Sequence, residues 1–166
     1  MDQENSILNL TVDQTPRETD FQVSEVALIY KSKIPQSKRP QVISSHHAFS
    51  IFQQSWDGDT IDFIEQFKVL YLNSANKALG IFQVSAGGLS GTVADPRIIL
   101  TMALKLCATA MILCHNHPSG NLRPSCADES LTNKIKQAAS FLDIRLQDHI
   151  IINSEGYLSF ADEGLL

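Results

Sequence analysis

The chain has 166 residues, of which 43% are hydrophobic and 19% are charged, and its formal net charge is −5. This length is enough for one domain with its own core, and the composition excludes a largely disordered protein. The acidic balance argues against duplex-DNA binding, which usually requires a basic face, and no apolar run reaches the roughly 20 residues of a membrane-spanning helix.

The start of the chain and its cysteines indicate a cellular compartment. No basic segment followed by an apolar run opens the sequence, so we expect a cytoplasmic protein without a secretory leader or membrane anchor. Cys107, Cys114 and Cys126 are an odd number of cysteines without the spacing of a disulfide scaffold. We therefore expect them to be reduced and to act as small buried residues.

The first half of the chain alternates polar segments with apolar runs. Its predicted elements are a polar arm over residues 1–22, a strand over 24–32, a helix over 44–56, and a hairpin with strands over 66–72 and 78–85. The helix is predicted from a serine cap followed by Phe49, Phe52 and Trp56 at helical spacing. The hairpin is predicted because two apolar runs flank the short polar turn NSANK.

The second half of the chain contains the clearest helix signals. Asp95 caps a helix whose first residue is Pro96, and that helix is predicted over 95–108. The remaining elements are a buried strand over 109–114, an amphipathic helix over 125–143, and two closing strands over 144–153 and 156–160. This order of elements predicts an α/β domain in which helices cover a mixed sheet.

Two histidines and an aspartate surround the loop that follows the predicted strand over 109–114. The segment reads HNHPSGNLRPSCAD, from His115 to Asp128. His115 and His117 are two residues apart at a strand end, so their side chains should leave the same face. Ser125 suits the N-cap of the next helix, which puts Asp128 in its first turn, leaning back toward the histidines.

These three residue types suit a metal site. Two neutral imidazoles and one carboxylate can bind a catalytic zinc ion and leave a fourth position for water. Zinc lowers the pKa of such a water toward roughly 7 and makes hydroxide available. The chemistry also needs a base that does not bind the metal. Glu65 and Glu25 each stand at the start of a predicted strand, and the spacing alone leaves both open.

Three further side chains near this loop need an interpretation. Cys126 could add a thiolate ligand, but its place in the first helical turn predicts that it points aside. Asn116 should face away from the histidines and brace the loop. His149, in the run QDHIII, is predicted either to support a metal ligand or to make a structural hydrogen bond.

The string from His115 to Asp128 resembles the JAMM metal motif, in which His-x-His is followed by ten residues and an aspartate. With the wording HNHPSG, the later DHIII and the pair PR before a helix, residues 42–166 resemble the RadC family, a branch of the JAB/MPN proteins. The resemblance implies a single three-layer JAB/MPN domain over residues 23–166, similar in architecture to the cytidine deaminases.

The same resemblance implies roles for individual residues. His115, His117 and Asp128 would bind zinc. Glu65 would be the general acid and base, and Ser125 would help to hold the oxyanion. The implied activity is zinc-dependent hydrolysis of peptide or isopeptide bonds in a protein or peptide substrate that the sequence does not name.

The alternative function is a metal-stabilised binding module without turnover, associated with DNA repair. RadC proteins typically carry a helix-hairpin-helix segment ahead of this domain, and here only the polar arm over residues 1–22 precedes it. DNA association is therefore a weaker expectation than hydrolysis.

Overall fold

The computed structural model describes residues 33–87 and 91–166. The predicted arm over 1–22 and the predicted strand over 24–32 lie outside these residues, and so does Glu25. The described residues form a 3-10 helix, Gln36–Lys38, and eight further elements in the order α1 (Ser45–Ser55), β1 (Gln66–Leu72), β2 (Ala78–Ala86), α2 (Pro96–Lys105), β3 (Ala110–Asn116), α3 (Cys126–Ser140), β4 (Arg145–Ile152) and β5 (Tyr157–Ser159).

The α-helices begin where the sequence predicts side-chain caps. Ser44 caps α1, Asp95 caps α2 and Ser125 caps α3, and each side chain accepts a hydrogen bond from a backbone N–H of the first turn. Both later helices end earlier than predicted. Cys107 and Asp143 have φ values of 50° and 54°, and a right-handed helix cannot continue through such a backbone.

The five strands form one mixed sheet in the order β2-β1-β3-β4-β5. Strands β3 and β4 are parallel and are joined by α3, while the other neighbouring strands are antiparallel. Phe67 pairs with His115, so the start of β1 lies beside the end of β3. Pairing with β4 continues through Asn116, and this extends β3 two residues beyond the predicted strand.

Apolar side chains pack on both faces of the sheet, which gives the expected three-layer α/β domain. The α1 face contains Phe49, Phe52, Trp56, Leu70, Leu72, Ile112, Ile150 and Ile152. The face covered by α2 and α3 contains Val69, Tyr71, Ile99, Ala103, Met111, Leu113, Ile135 and Ala139. Because successive strand residues face opposite sides, His115 continues the row of Met111 and Leu113 toward α3, and Asn116 faces the other layer.

The cysteines differ in part from the expectation of burial. Cys114 is buried, but Cys107 and Cys126 are exposed. Cys107 lies in the turn after α2, and Cys126 is the first residue of α3, so neither is covered by the core. Among the described residues, the helices are too short or too polar to span a bilayer.

Candidate metal centre

The end of β3 places two imidazole rings side by side. His115 is the last strand residue but one and is 1% exposed. His117 follows the strand, where its N–H donates to the carbonyl of Ile152, and the Nε2 atoms of the two histidines are 2.9 Å apart. The other ring nitrogen of His117, Nδ1, faces the carbonyl oxygen of Asn121. Since a carbonyl only accepts, Nδ1 carries a proton, and Nε2 is the nitrogen of the neutral ring that could bind a metal.

The first turn of α3 brings a carboxylate to these rings. Ser125 and Asp128 form a capping box, in which the backbone N–H of Asp128 donates to Ser125 Oγ over 3.2 Å and the N–H of Ser125 donates to Asp128 Oδ2 over 2.7 Å. The Ser125 hydroxyl also donates to that oxygen, over 2.6 Å. Asp128 Oδ1 lies 3.2 Å from His115 Nε2, and Oδ2 lies 3.8 Å from His117 Nε2.

Asp128 is held in its ionised form. Partial burial by itself would raise the pKa of this carboxyl, but hydrogen bonds from His115 and Ser125 and the charge on His115 hold the pKa well below its usual range. An ionised carboxylate beside the Nε2 atoms of two histidines can bind a divalent cation once these nitrogens are free of protons. The side chain is therefore in the state that a metal ligand requires.

The three side chains fit one divalent ion. One ligand atom from each of His115, His117 and Asp128 lies within 4.8 Å of the other two. The N,N,O set matches the ligands that zinc takes in catalytic sites. Cys126 is outside this group, in agreement with the prediction that its thiol points aside.

A cavity of about 510 Å³ adjoins two of the three side chains, His117 and Asp128. Ser125 and Glu65 also line this cavity. Glu65 is the residue before β1, and its Oε1 accepts a hydrogen bond from the backbone N–H of Thr92 over 3.3 Å. The structure thus brings the predicted base to the predicted ligands, while the roles of these residues in a reaction stay predictions.

Asn116 faces away from His115, as the strand alternation predicts, but its side-chain hydrogen bonds go to the turn before β1 and not to the predicted loop. Its side chain is fully buried on the face opposite His115. Asn116 Oδ1 accepts from the backbone N–H of Gln66 over 2.7 Å, and Nδ2 donates to the carbonyls of Ile61 and Ile64. These bonds tie the turn before β1, and hence Glu65, to the end of β3.

His149 contacts a predicted ligand, which the sequence left open. Its ring is fully buried, and its Nε2 lies 2.8 Å from His115 Nδ1. Its Nδ1 lies 2.6 Å from the hydroxyl of Thr132. Burial, with a smaller contribution from the charge on His115, holds the pKa of His149 well below its ordinary value. Thr132 was not among the residues predicted from the sequence, although it follows Asp128 by one helical turn on the same face.

Comparison with known proteins agrees with the family resemblance of the sequence. Residues 42–165 match the family described as the RadC-like JAB domain. A UPF0758 protein of Flavobacterium johnsoniae is 45% identical over 128 residues, which are 77% of this chain and 55% of that protein. A UPF0758 protein of Porphyromonas gingivalis is 50% identical over 103 residues, 61% of this chain and 45% of that protein.

A third relative is the UPF0758 protein YfjY of Escherichia coli, which is 43% identical over 102 residues, 61% of this chain and 64% of that protein. The chain therefore spans about half to two thirds of the length of these curated relatives.

Proposed function

Because this chain belongs to the RadC-like JAB domain family, we propose that it is a metal-dependent hydrolase of peptide or isopeptide bonds. The observation that carries the proposal is the convergence of His115, His117 and Asp128, whose ligand atoms lie within 4.8 Å of one another. The adjoining cavity contains a carboxylate outside this group, Glu65. A ligand set with a separate base is what hydrolysis by an activated water requires.

Zinc is the metal that we propose for this site. The donors are two imidazole nitrogens and a carboxylate oxygen without a thiolate, a set that recurs around catalytic zinc. When bound, zinc would lower the pKa of a coordinated water toward roughly 7.

The remaining chemistry belongs to two side chains on the cavity wall. Glu65 would accept a proton from the attacking water and return it to the leaving nitrogen of the cleaved bond. Ser125 would donate its hydroxyl to the oxygen that gains negative charge during the attack. That hydroxyl donates to Asp128 Oδ2 in this structure, so the proposed role requires it to turn toward the substrate.

The first experiment tests the metal site. The purified chain, loaded with zinc and dialysed, should retain about one ion per chain, measured by elemental mass spectrometry. His115→Ala and Asp128→Ala should each lose the ion, because a site that keeps only two of its three protein ligands binds zinc weakly. His47→Ala, which removes an exposed imidazole on α1, is the matched control and should retain the ion. Retention of zinc by both site variants would show that the site is assigned wrongly.

The second experiment tests turnover. Glu65→Gln should bind zinc like the wild type but cleave a panel of peptides and isopeptide-linked peptides about 10²–10⁴-fold more slowly, since it cannot move the proton. Glu163→Gln, at an exposed position, is the control for replacing a carboxylate by an amide. A wild-type chain that binds zinc yet cleaves nothing in the panel would favour the non-catalytic module instead.

A further inference from the structure

A buried chain of hydrogen bonds begins at His115 Nδ1, the ring nitrogen that does not face His117 and Asp128. Thr132 Oγ1 is 2.6 Å from the backbone carbonyl oxygen of Asp128 and 2.6 Å from His149 Nδ1. His149 Nε2 is 2.8 Å from His115 Nδ1. Thr132, His149 and His115 are each at most 1% exposed, so water does not compete for these bonds.

The direction of each bond follows from the atoms at one end of this chain. The carbonyl of Asp128 can only accept, so the single hydroxyl proton of Thr132 points to it. The Thr132 oxygen must then accept the next bond, from an N–H at His149 Nδ1. A buried imidazole that faces only Thr132 and His115 is neutral and has one N–H, so His149 Nε2 accepts in turn from His115 Nδ1.

We propose that Thr132 and His149 are positioning residues that set the tautomer of His115 and turn the lone pair of its Nε2 toward the metal site. This inference rests on the proposed metal site but not on the proposed catalytic step. A metal-binding histidine usually donates its second N–H to a carboxylate, a carbonyl or water, each of which can accept it. Here the acceptor is another imidazole, which can also donate, so Thr132 is needed to set the direction.

The surrounding rings keep both imidazoles in place. Phe67 stacks on His115 with ring centroids 5.9 Å apart and planes 6° apart. Phe160 stacks on His149 with centroids 4.8 Å apart and planes 23° apart. Because the ring planes are confined on these sides, a change of tautomer, and not a rotation of the ring, is the expected response to loss of a partner.

The decisive comparison is between Thr132→Val and Thr132→Ser. Valine keeps the shape but removes the acceptor for His149 Nδ1–H, so His149 should move its proton to Nε2 and force the His115 proton onto the metal-facing nitrogen. Zinc affinity, measured by competition with a chromogenic chelator, should fall about 10–100-fold in Thr132→Val. Thr132→Ser keeps the hydroxyl and should stay close to the wild-type affinity. Packing alone predicts the opposite order, because serine is the smaller side chain.

A conservative substitution of His149, the next residue in the hydrogen-bond chain, should preserve part of the zinc affinity. His149→Gln keeps an oxygen that can accept from His115 Nδ1–H, whereas His149→Phe keeps the ring but no acceptor. The glutamine variant should bind zinc more tightly than the phenylalanine variant. The reverse order, or equal affinities for the serine and valine variants at position 132, would overturn the inference.

The tautomer can also be observed without metal or activity. Two-bond proton–nitrogen correlation spectra of the metal-free wild-type chain should show His115 protonated at Nδ1, the nitrogen that faces His149. A His115 ring without a proton at Nδ1 would refute the inference even if the valine variant failed to fold. If the spectra show the expected tautomer but the wild type binds no zinc, the proposed function fails and the hydrogen-bond order stands.

Discussion

At the scale of single residues, Ser125 has one observed role, as a helix cap, and one proposed role, in catalysis, and these depend on different atoms of its side chain. As the N-cap of α3 its oxygen accepts from the backbone N–H of Asp128, and its hydroxyl proton is donated to the Asp128 carboxylate. The proposed reaction requires the same hydroxyl proton to reach a developing oxyanion. Capping and catalysis can therefore be separated by substitutions that differ in capping ability.

Ser125→Ala and Ser125→Gly form such a pair. Alanine at an N-cap should lower the free energy of unfolding by about 1 kcal/mol, whereas glycine should lower it by only a few tenths. Both lack the hydroxyl, so both should lose about 10²-fold in the rate of hydrolysis if that donor stabilises the transition state. Urea denaturation and the peptide-cleavage assay measure the two quantities. If the glycine variant cleaves at the wild-type rate, Ser125 is a helix cap and nothing more.

At the scale of elements, the β3–α3–β4 unit creates the site. The crossover helix begins directly after the loop that leaves β3, so the N-terminus of α3 and the end of β3 face one another. Since β1 is antiparallel to β3, the residue before β1 arrives at the same edge. Asn116 holds the residue before β1 at this edge through hydrogen bonds to three backbone groups of residues 61–66.

Removal of this brace should separate the base from the ligands. Asn116→Leu removes the side-chain partner of two buried backbone groups and one half-buried carbonyl, and it should reduce the free energy of unfolding by about 2 kcal/mol or more. Displacement of Glu65 by about 1 Å should slow hydrolysis by about 10²-fold. Zinc affinity should change little, because His115 leaves the opposite face of the strand. Denaturation, zinc competition and peptide cleavage measure the three effects.

Asn73 provides the control for a lost turn brace. Its side chain accepts from the backbone N–H groups of Ala75 and Lys77 in the turn between β1 and β2, at the far end of β1 from Glu65. Asn73→Ala should lower stability but leave both zinc affinity and turnover unchanged. If Asn116→Leu reduces zinc affinity as strongly as turnover, the brace acts on the whole site and not on Glu65 alone.

At the scale of the whole molecule, the metal would link a strand, a loop and a helix of the same domain. Its three ligands come from β3, from the loop after it and from α3, while the two apolar clusters lie on opposite faces of the strands. A ligand that binds only the folded chain raises the free energy of unfolding by an amount that grows with the logarithm of its concentration relative to its dissociation constant. Metal removal should therefore be visible in global unfolding.

Free zinc at 100 times its dissociation constant should stabilise the fold by about 2.7 kcal/mol. For a chain of this size that corresponds to a rise in Tm of roughly 5–10 °C, which a chelator should reverse. Differential scanning calorimetry measures the shift. His117→Ala should show no zinc-dependent rise, whereas the exposed-histidine control His47→Ala should show it in full. A rise of equal size in His117→Ala would place the stabilising ion elsewhere.

Much of the architecture is readable from short stretches of sequence. Caps such as Ser44 and Asp95 act on backbone groups of the same turn, so their effect needs no knowledge of the rest of the fold. The spacing between His117 and Asp128 likewise predicts the ligand group, because a strand end and a helix start have fixed local directions. The early ends of α2 and α3 were missed, since no local signal announced the positive φ values of Cys107 and Asp143.

The contacts that could not be predicted depend on strand pairing, because it joins groups that are far apart in sequence. The contact between His115 and His149 spans 34 residues and depends on the parallel register of β3 and β4. In β1, Lys68 looks like a break in an apolar run, yet it is buried, its ammonium donates to the carbonyl of Ser55 over 2.7 Å and it lies 4.1 Å above the Trp56 ring. The sequence by itself determines which side chains can bind a metal or form a hydrogen bond. The tertiary structure decides which of them meet, because a buried polar atom can bond only to the few groups that are packed against it.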